Sequence, residues 1–142
     1  LPGISEGNEV ATFGQEAAAD EREAASKVLE ENLSARAAED WSKQCASLSA
    51  RLTAELLERV ELIMGKKEAG GCPKALELEA EPISPSVLKN PMTGPIDELR
   101  VEGPKAYALF TGTGNKEYGM PMVSEGGEWK VDSLTTIELS EA

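Results

Sequence analysis

The chain has 142 residues, a formal charge of −12, no histidine and two cysteines. That length fits one domain able to bury its own core. So acidic a surface repels nucleic acid and anionic lipid, and its plain role is solubility. Without histidine the commonest general base and the commonest transition-metal ligand are missing, so neither a metal nor a cofactor is expected. No apolar run approaches the roughly 20 residues of a membrane span.

Residues 1–15 lack periodicity and carry Gly3, Gly7 and Gly14. They read as a flexible leader ahead of a single folded domain over 16–142. The sequence opens on Leu1, as a processed or trimmed chain would, and the leader reads as a loose end or as a tether to an anchor. From Gln15 to Ala38 the composition turns to Ala, Glu, Arg and Leu, which are good helix formers. Ala25, Val28, Leu29, Leu33 and Ala37 fall on one stripe, with Glu23 and Lys27 paired on the other side. Asp40 then suits the N-cap of a short second helix that carries Cys45 and Leu48, with Trp41 plugging the gap to the first. Ser49 is the next capping candidate. Leu52, Leu56, Val60 and Ile63 or Met64 make one face of a third helix that Gly65 ends. Pro73 suits the first turn of a further short helix reaching about Leu78. Pro82, Pro85, Pro91 and Pro95 rule out a regular helix through the next segment.

The final third alternates short β-prone runs with glycine-containing turns. This predicts an antiparallel meander with strands at about 96–102, 105–112, 116–124 and 128–138. The fold class is therefore α+β, with N-terminal helices packed on the meander. Ala106, Ala108 and Phe110 share one face of the second strand, Tyr107 and Leu109 the other. Tyr118, Met120 and Met122 share a face of the third strand, and Trp129 and Val131 a face of the fourth. Both sets in the second strand are apolar, which suggests a sheet covered on both sides, by helices on one and by a second copy of the chain on the other. Pro121 must sit where its missing N–H faces no partner, at a bulge or an edge. Both tryptophans are expected to be buried with their indole N–H groups bonded.

Cys45 and Cys72 lie in no Cys-x-x-Cys motif, and two cysteines without histidine cannot complete a typical zinc site. A structural disulfide and two buried free thiols remain, the disulfide being the favoured one. A disulfide would place the protein in an oxidising compartment outside the cytoplasm. Glu77, Glu79 and Glu81 read as a solvated face rather than a calcium site, because no Asp-rich loop accompanies them.

The order of helix, Asp-Trp corner, further helices and meander resembles the nuclear transport factor 2-like superfamily, also called SnoaL-like or cystatin-like cone folds. Ala38-Glu39-Asp40-Trp41 and the hairpin from Glu125 to Val131 carry the resemblance, which covers about Gln15 to Leu139. More narrowly, the chain is similar to exported lipoproteins of high-GC Gram-positive bacteria. Those often pair a cysteine after the Asp-Trp corner with one ahead of a short helix, as Cys45 and Cys72 would here, and in them the leader follows a lipidated cysteine. The resemblance implies a curved, cone-shaped sheet over helices, a pocket in its mouth, dimerisation through the outer sheet face, and a secreted or cell-surface lipoprotein lipid-anchored upstream of Leu1.

Two function classes follow. The first is a non-catalytic extracytoplasmic domain that binds a small apolar ligand or a protein partner. Its pocket candidates are Tyr107, Leu109, Phe110, Tyr118, Met120 and Met122. The alternative is an acid–base enzyme of isomerase or dehydratase type. It would use Tyr107 or Tyr118 with a carboxyl such as Asp97 at a raised pKa. A strand tyrosine or methionine is more often a packing residue, and no motif fixes an acid opposite either tyrosine, so the first class is preferred.

Overall fold

The structure, a computed structural model, describes residues 9–66, 70–89, 92 and 94–139. After a two-residue strand β1 (Gln15–Glu16) come helices α1 (Ala19–Ala37), α2 (Trp41–Ala46), α3 (Ala50–Met64), α4 (Gly71–Ala80) and the single turn α5 (Pro85–Leu88). Strands β2 (Glu98–Glu102), β3 (Lys105–Thr111), β4 (Glu117–Glu125), β5 (Glu128–Val131) and β6 (Ile137–Glu138) follow. The class is α+β, with helices preceding an antiparallel sheet.

The helix ends form where the capping chemistry lies. Glu39 takes a left-handed conformation at φ 57° and turns the chain out of α1. Asp40 Oδ1 then accepts from the Lys43 N–H (3.2 Å) and starts α2. Ser49 Oγ accepts from the Leu52 N–H (3.0 Å) and starts α3, which Gly65 closes. Pro85 opens α5 from its first position, where its missing N–H costs nothing, so the proline-rich segment holds a single helical turn.

The sheet runs β1-β2-β3-β4-β5, with β6 also on β4. Gly103-Pro104 and Gly126-Gly127 make two-residue turns, since Glu102 pairs with Lys105 and Glu125 with Glu128. Both glycines of the second turn have positive φ, as a type I′ hairpin needs. The last expected strand is split. β5 pairs along Met122–Glu125 and β6 along Tyr118–Gly119, on the same side of β4. Pro121 falls in the gap between them while its register with Tyr107 on β3 is unbroken. Its carbonyl accepts from the Asp132 N–H (2.9 Å), so its nitrogen faces that same gap, where no donor is needed. A divided neighbour, not a bulge, accommodates it.

The core lies between the helices and the inner sheet face. Leu29, Leu33, Leu52, Leu56, Val60, Ala75 and Leu76 meet Leu99, Ala106, Ala108, Phe110, Met120, Met122, Trp129 and Val131. Each fully buried large side chain contributes about 1.5–3 kcal/mol. Cys45 and Cys72 are joined by a disulfide across α2 and α4, with Cα atoms 6.2 Å apart. Among the described residues no helix is long and apolar enough to cross a membrane.

Of the leader expected over 1–15, residues 1–8 lie outside the described residues, and those from 9 onward pack on the outer sheet face. Val10 is buried, and Phe13 sets its ring edge-on to Tyr107 at 5.0 Å. Arg100 Nε and Nη2 donate to the Phe13 and Gly14 carbonyls at 2.8 and 3.0 Å, and Glu98 pairs with Nη1 at 2.7 Å. The chain's own N-terminal segment thus covers part of the outer face.

Candidate functional site

The candidate residues of the sheet divide between its two faces. Phe110, Tyr118, Met120 and Met122 point toward the helices, while Tyr107 and Leu109 point outward, because the period of a strand is two. Met120 and Met122 are 1% exposed and Phe110 is 5% exposed, so they fill the core. Tyr118 lies over Phe110 with ring centroids 5.6 Å apart. Tyr107 packs on Phe13, and Leu109 lies beside Val10 across Gly119. The two tyrosines therefore serve opposite surfaces, and one carboxyl cannot serve both. Asp97 is exposed, and its Oδ2 already accepts from Thr111 Oγ1 at 2.9 Å.

Buried polar chemistry gathers instead along the helical layer. Asn32 Nδ2 donates to Ser47 Oγ (2.8 Å), which donates to the Gln44 carbonyl (2.6 Å). Ser49 is completely buried, and its hydroxyl donates to Asp132 Oδ1 at 2.6 Å. The Val131 N–H donates to the Ser47 carbonyl (2.7 Å) and the Ser49 N–H to the Val131 carbonyl (2.9 Å). Arg51 adds bonds to Asp132 and Glu55, which hold its pKa above the ordinary value. These bonds sew the α2–α3 linker to the end of β5. A groove of about 570 Å³ runs beside it, over Val28, Lys43, Gly127 and Trp129, with Asp20 and Glu31 at its edges. Trp129 is 8% exposed, and its indole N–H donates to Glu21 Oε2 at 2.7 Å.

A second, smaller cleft opens where α1, α2, α4, α5 and the turn before β6 meet. Arg36, Trp41, Gln44, Glu79, Ile83 and Leu134 are in its wall, and it is a shallow, open cleft of about 40 Å³. Trp41 is half-buried here rather than sealed in the core. Arg36 Nε and Nη2 donate to the Leu88 and Val87 carbonyls, both at 3.3 Å. Burial lowers the guanidinium pKa from its ordinary value, and among the described residues no carboxylate pairs with it. Gln44 is 4% exposed, and its Oε1 has no hydrogen-bond partner among the described residues. Glu79 Oε1 lies 2.8 Å from Arg59 Nε, off the N–H direction, so charge rather than a well-formed hydrogen bond holds it. Glu79 is thus a partnered residue at a cleft wall, not part of a solvated face.

The sequence reading missed this cleft for a physical reason. Arg36 and Gln44 belong to different helices, and neither stands in a motif. No group of three or more His, Cys, Asp or Glu side chains suited to a metal ion occurs among the described residues. No family model matches the chain, and no curated protein or solved structure matches it.

Proposed function

We propose that this chain is a non-catalytic binding domain of the nuclear transport factor 2-like kind, and that it engages a partner at the surface of its helical layer. The observation that carries this reading is the filled interior. Leu29, Leu56, Leu99, Met120, Met122 and Val131 are each at most 1% exposed between the helices and the inner sheet face, which supports a packed interior rather than a substrate pocket there. The disulfide is compatible with an oxidising compartment. It supports an extracytoplasmic location, while export and a lipid anchor upstream of Leu1 rest on the family resemblance alone. Binding outside the sheet needs apolar surface, and Leu62, Ile63 and Val87 are 80%, 74% and 54% exposed on the helical side.

The test pairs a thermal-stability screen against apolar peptides, lipids, steroids and aromatic metabolites with an assay for proton-transfer turnover. A ligand that prefers the native state raises the Tm by mass action. A rise without turnover is the expected result. Turnover lost in Tyr107→Phe or Tyr118→Phe, with folding intact, would overturn the reading in favour of an acid–base enzyme.

A further inference from the structure

We propose that the last turn of α3, carrying Leu62, Ile63 and Met64, is a membrane-contact tip that enters an electrically neutral lipid interface. This rests on the binding reading above and names its partner. Leu52, Leu56 and Val60 form the buried stripe of α3, at 4%, 0% and 3% exposure. Continued at helical spacing, that stripe runs on to Ile63 and Met64, yet these are 74% and 46% exposed. Leu62 beside them is 80% exposed. The helix therefore outruns the core it packs on, and its apolar sequence continues into solvent. A single exposed apolar residue needs no explanation, whereas three large ones in succession do.

The arrangement of the three side chains selects the partner. Successive helical residues point about 100° apart, so these three spread over about 200° of the helix end. A partner helix or a protein groove reads a stripe at i, i+3, i+4 and i+7, and the stripe of α3 already faces the core. A lipid interface closes around an inserted tip from every side and needs no stripe. One helical turn is about 5.4 Å long, and apolar helix faces enter the headgroup boundary to a depth of about 5–10 Å. The charges beside the tip fit a zwitterionic headgroup. Glu61 precedes the apolar run and Lys66 follows the Gly65 cap, both exposed and of opposite sign. A phosphocholine headgroup brings an ammonium for the first and a phosphate for the second. The formal charge of −12 sets the chain as a whole against anionic lipid.

The experiment adds phosphatidylcholine bicelles carrying a spin-labelled lipid to ¹⁵N-labelled protein, and measures cosedimentation with phosphatidylcholine vesicles. The amides of Leu62, Ile63 and Met64 should broaden first, and those of β3 should not. The double variant Leu62→Gln, Ile63→Gln should bind the vesicles about tenfold more weakly or worse, the loss of two inserted apolar side chains. Its Tm in lipid-free buffer should be unchanged, because both side chains already face water. Mixing phosphatidylglycerol into the vesicles should weaken wild-type binding. No vesicle binding, broadening centred elsewhere, equal binding by the double variant, or tighter binding to the anionic vesicles would each overturn the tip. A dimer that the double variant abolishes, without vesicle binding, would assign these residues to a second copy of the chain and overturn it too. If an apolar peptide raises the Tm while lipid leaves the tip amides unmoved, the membrane contact fails and the binding reading stands.

Discussion

Ser49 shows how much one small side chain can hold. Its hydroxyl caps α3 through the Leu52 N–H and donates to Asp132, while its own N–H reaches the Val131 carbonyl. Ser49→Ala removes the cap and leaves the half-buried Asp132 Oδ1 with Arg51 as its remaining donor. We expect a loss of about 1–2 kcal/mol in urea unfolding, and an unchanged midpoint would show that the cap contributes nothing. Trp129 acts differently, through its volume as well as its indole N–H. Trp129→Ala should cost about 3–5 kcal/mol because the surrounding core relaxes only partly. In Trp41→Phe protein the remaining emission should be that of a buried indole. In Trp129→Phe protein the half-buried Trp41 should emit at longer wavelength.

At the scale of elements, two fastenings add to the packing of short pieces. α2 is six residues long, too short to be stable by itself, and the disulfide ties it to α4. Cys45→Ser should lower stability by about 3.5 kcal/mol, the chain-entropy value for a loop of this length. Alkylation of two thiols in unreduced wild-type protein would contradict the bond itself. The second fastening is the N-terminal segment. Gly14 sits at φ +48° against β2, and a Cβ there would lie 2.1 Å from the Val101 carbonyl oxygen. Gly14→Ala should therefore lift residues 9–16 from the sheet. Their amide exchange should quicken while α1 and the β3–β4 pair stay protected, a local opening rather than global unfolding. Slow exchange throughout the variant would show that the backbone there can adjust.

Across the whole molecule, the sheet is apolar on both faces because both are used. The helices cover Met120, Met122 and Phe110, and Val10 and Phe13 cover Leu109 and Tyr107. A second copy of the chain is thus not required to account for the outer apolar residues. Filling the interior also moves any binding to the outside, where clefts form between elements. Met120→Ala tests how solid that interior is. It should cost about 2–5 kcal/mol if the core is as full as its burial implies. A much smaller loss in denaturant melts would point to a slack interior able to admit a ligand.

The local chemistry of this chain could be read from its sequence. Asp40, Ser49 and Gly65 mark helix boundaries because capping depends on residues within four positions. The hairpins at Gly103-Pro104 and Gly126-Gly127 are likewise set by their own turn residues. Alternation divided the strands into correct faces but could not orient them, since β3 is apolar on both sides. Only the tertiary structure decided that Met120 and Met122 face the helices and that Tyr107 and Tyr118 part company. It alone split the last strand around Pro121, through pairing of β4 with segments on either side of a loop. The buried polar residues Ser26 and Asn32 break the apolar stripe of α1, and their partners, the Ile96 N–H and Ser47, lie 70 and 15 positions away. The cleft beside Arg36 and Gln44 was hidden likewise, because its other walls, Leu76, Leu88 and Leu134, come from remote segments. A periodic pattern reports which way a side chain points from its own element, whereas a site depends on which other elements arrive opposite it.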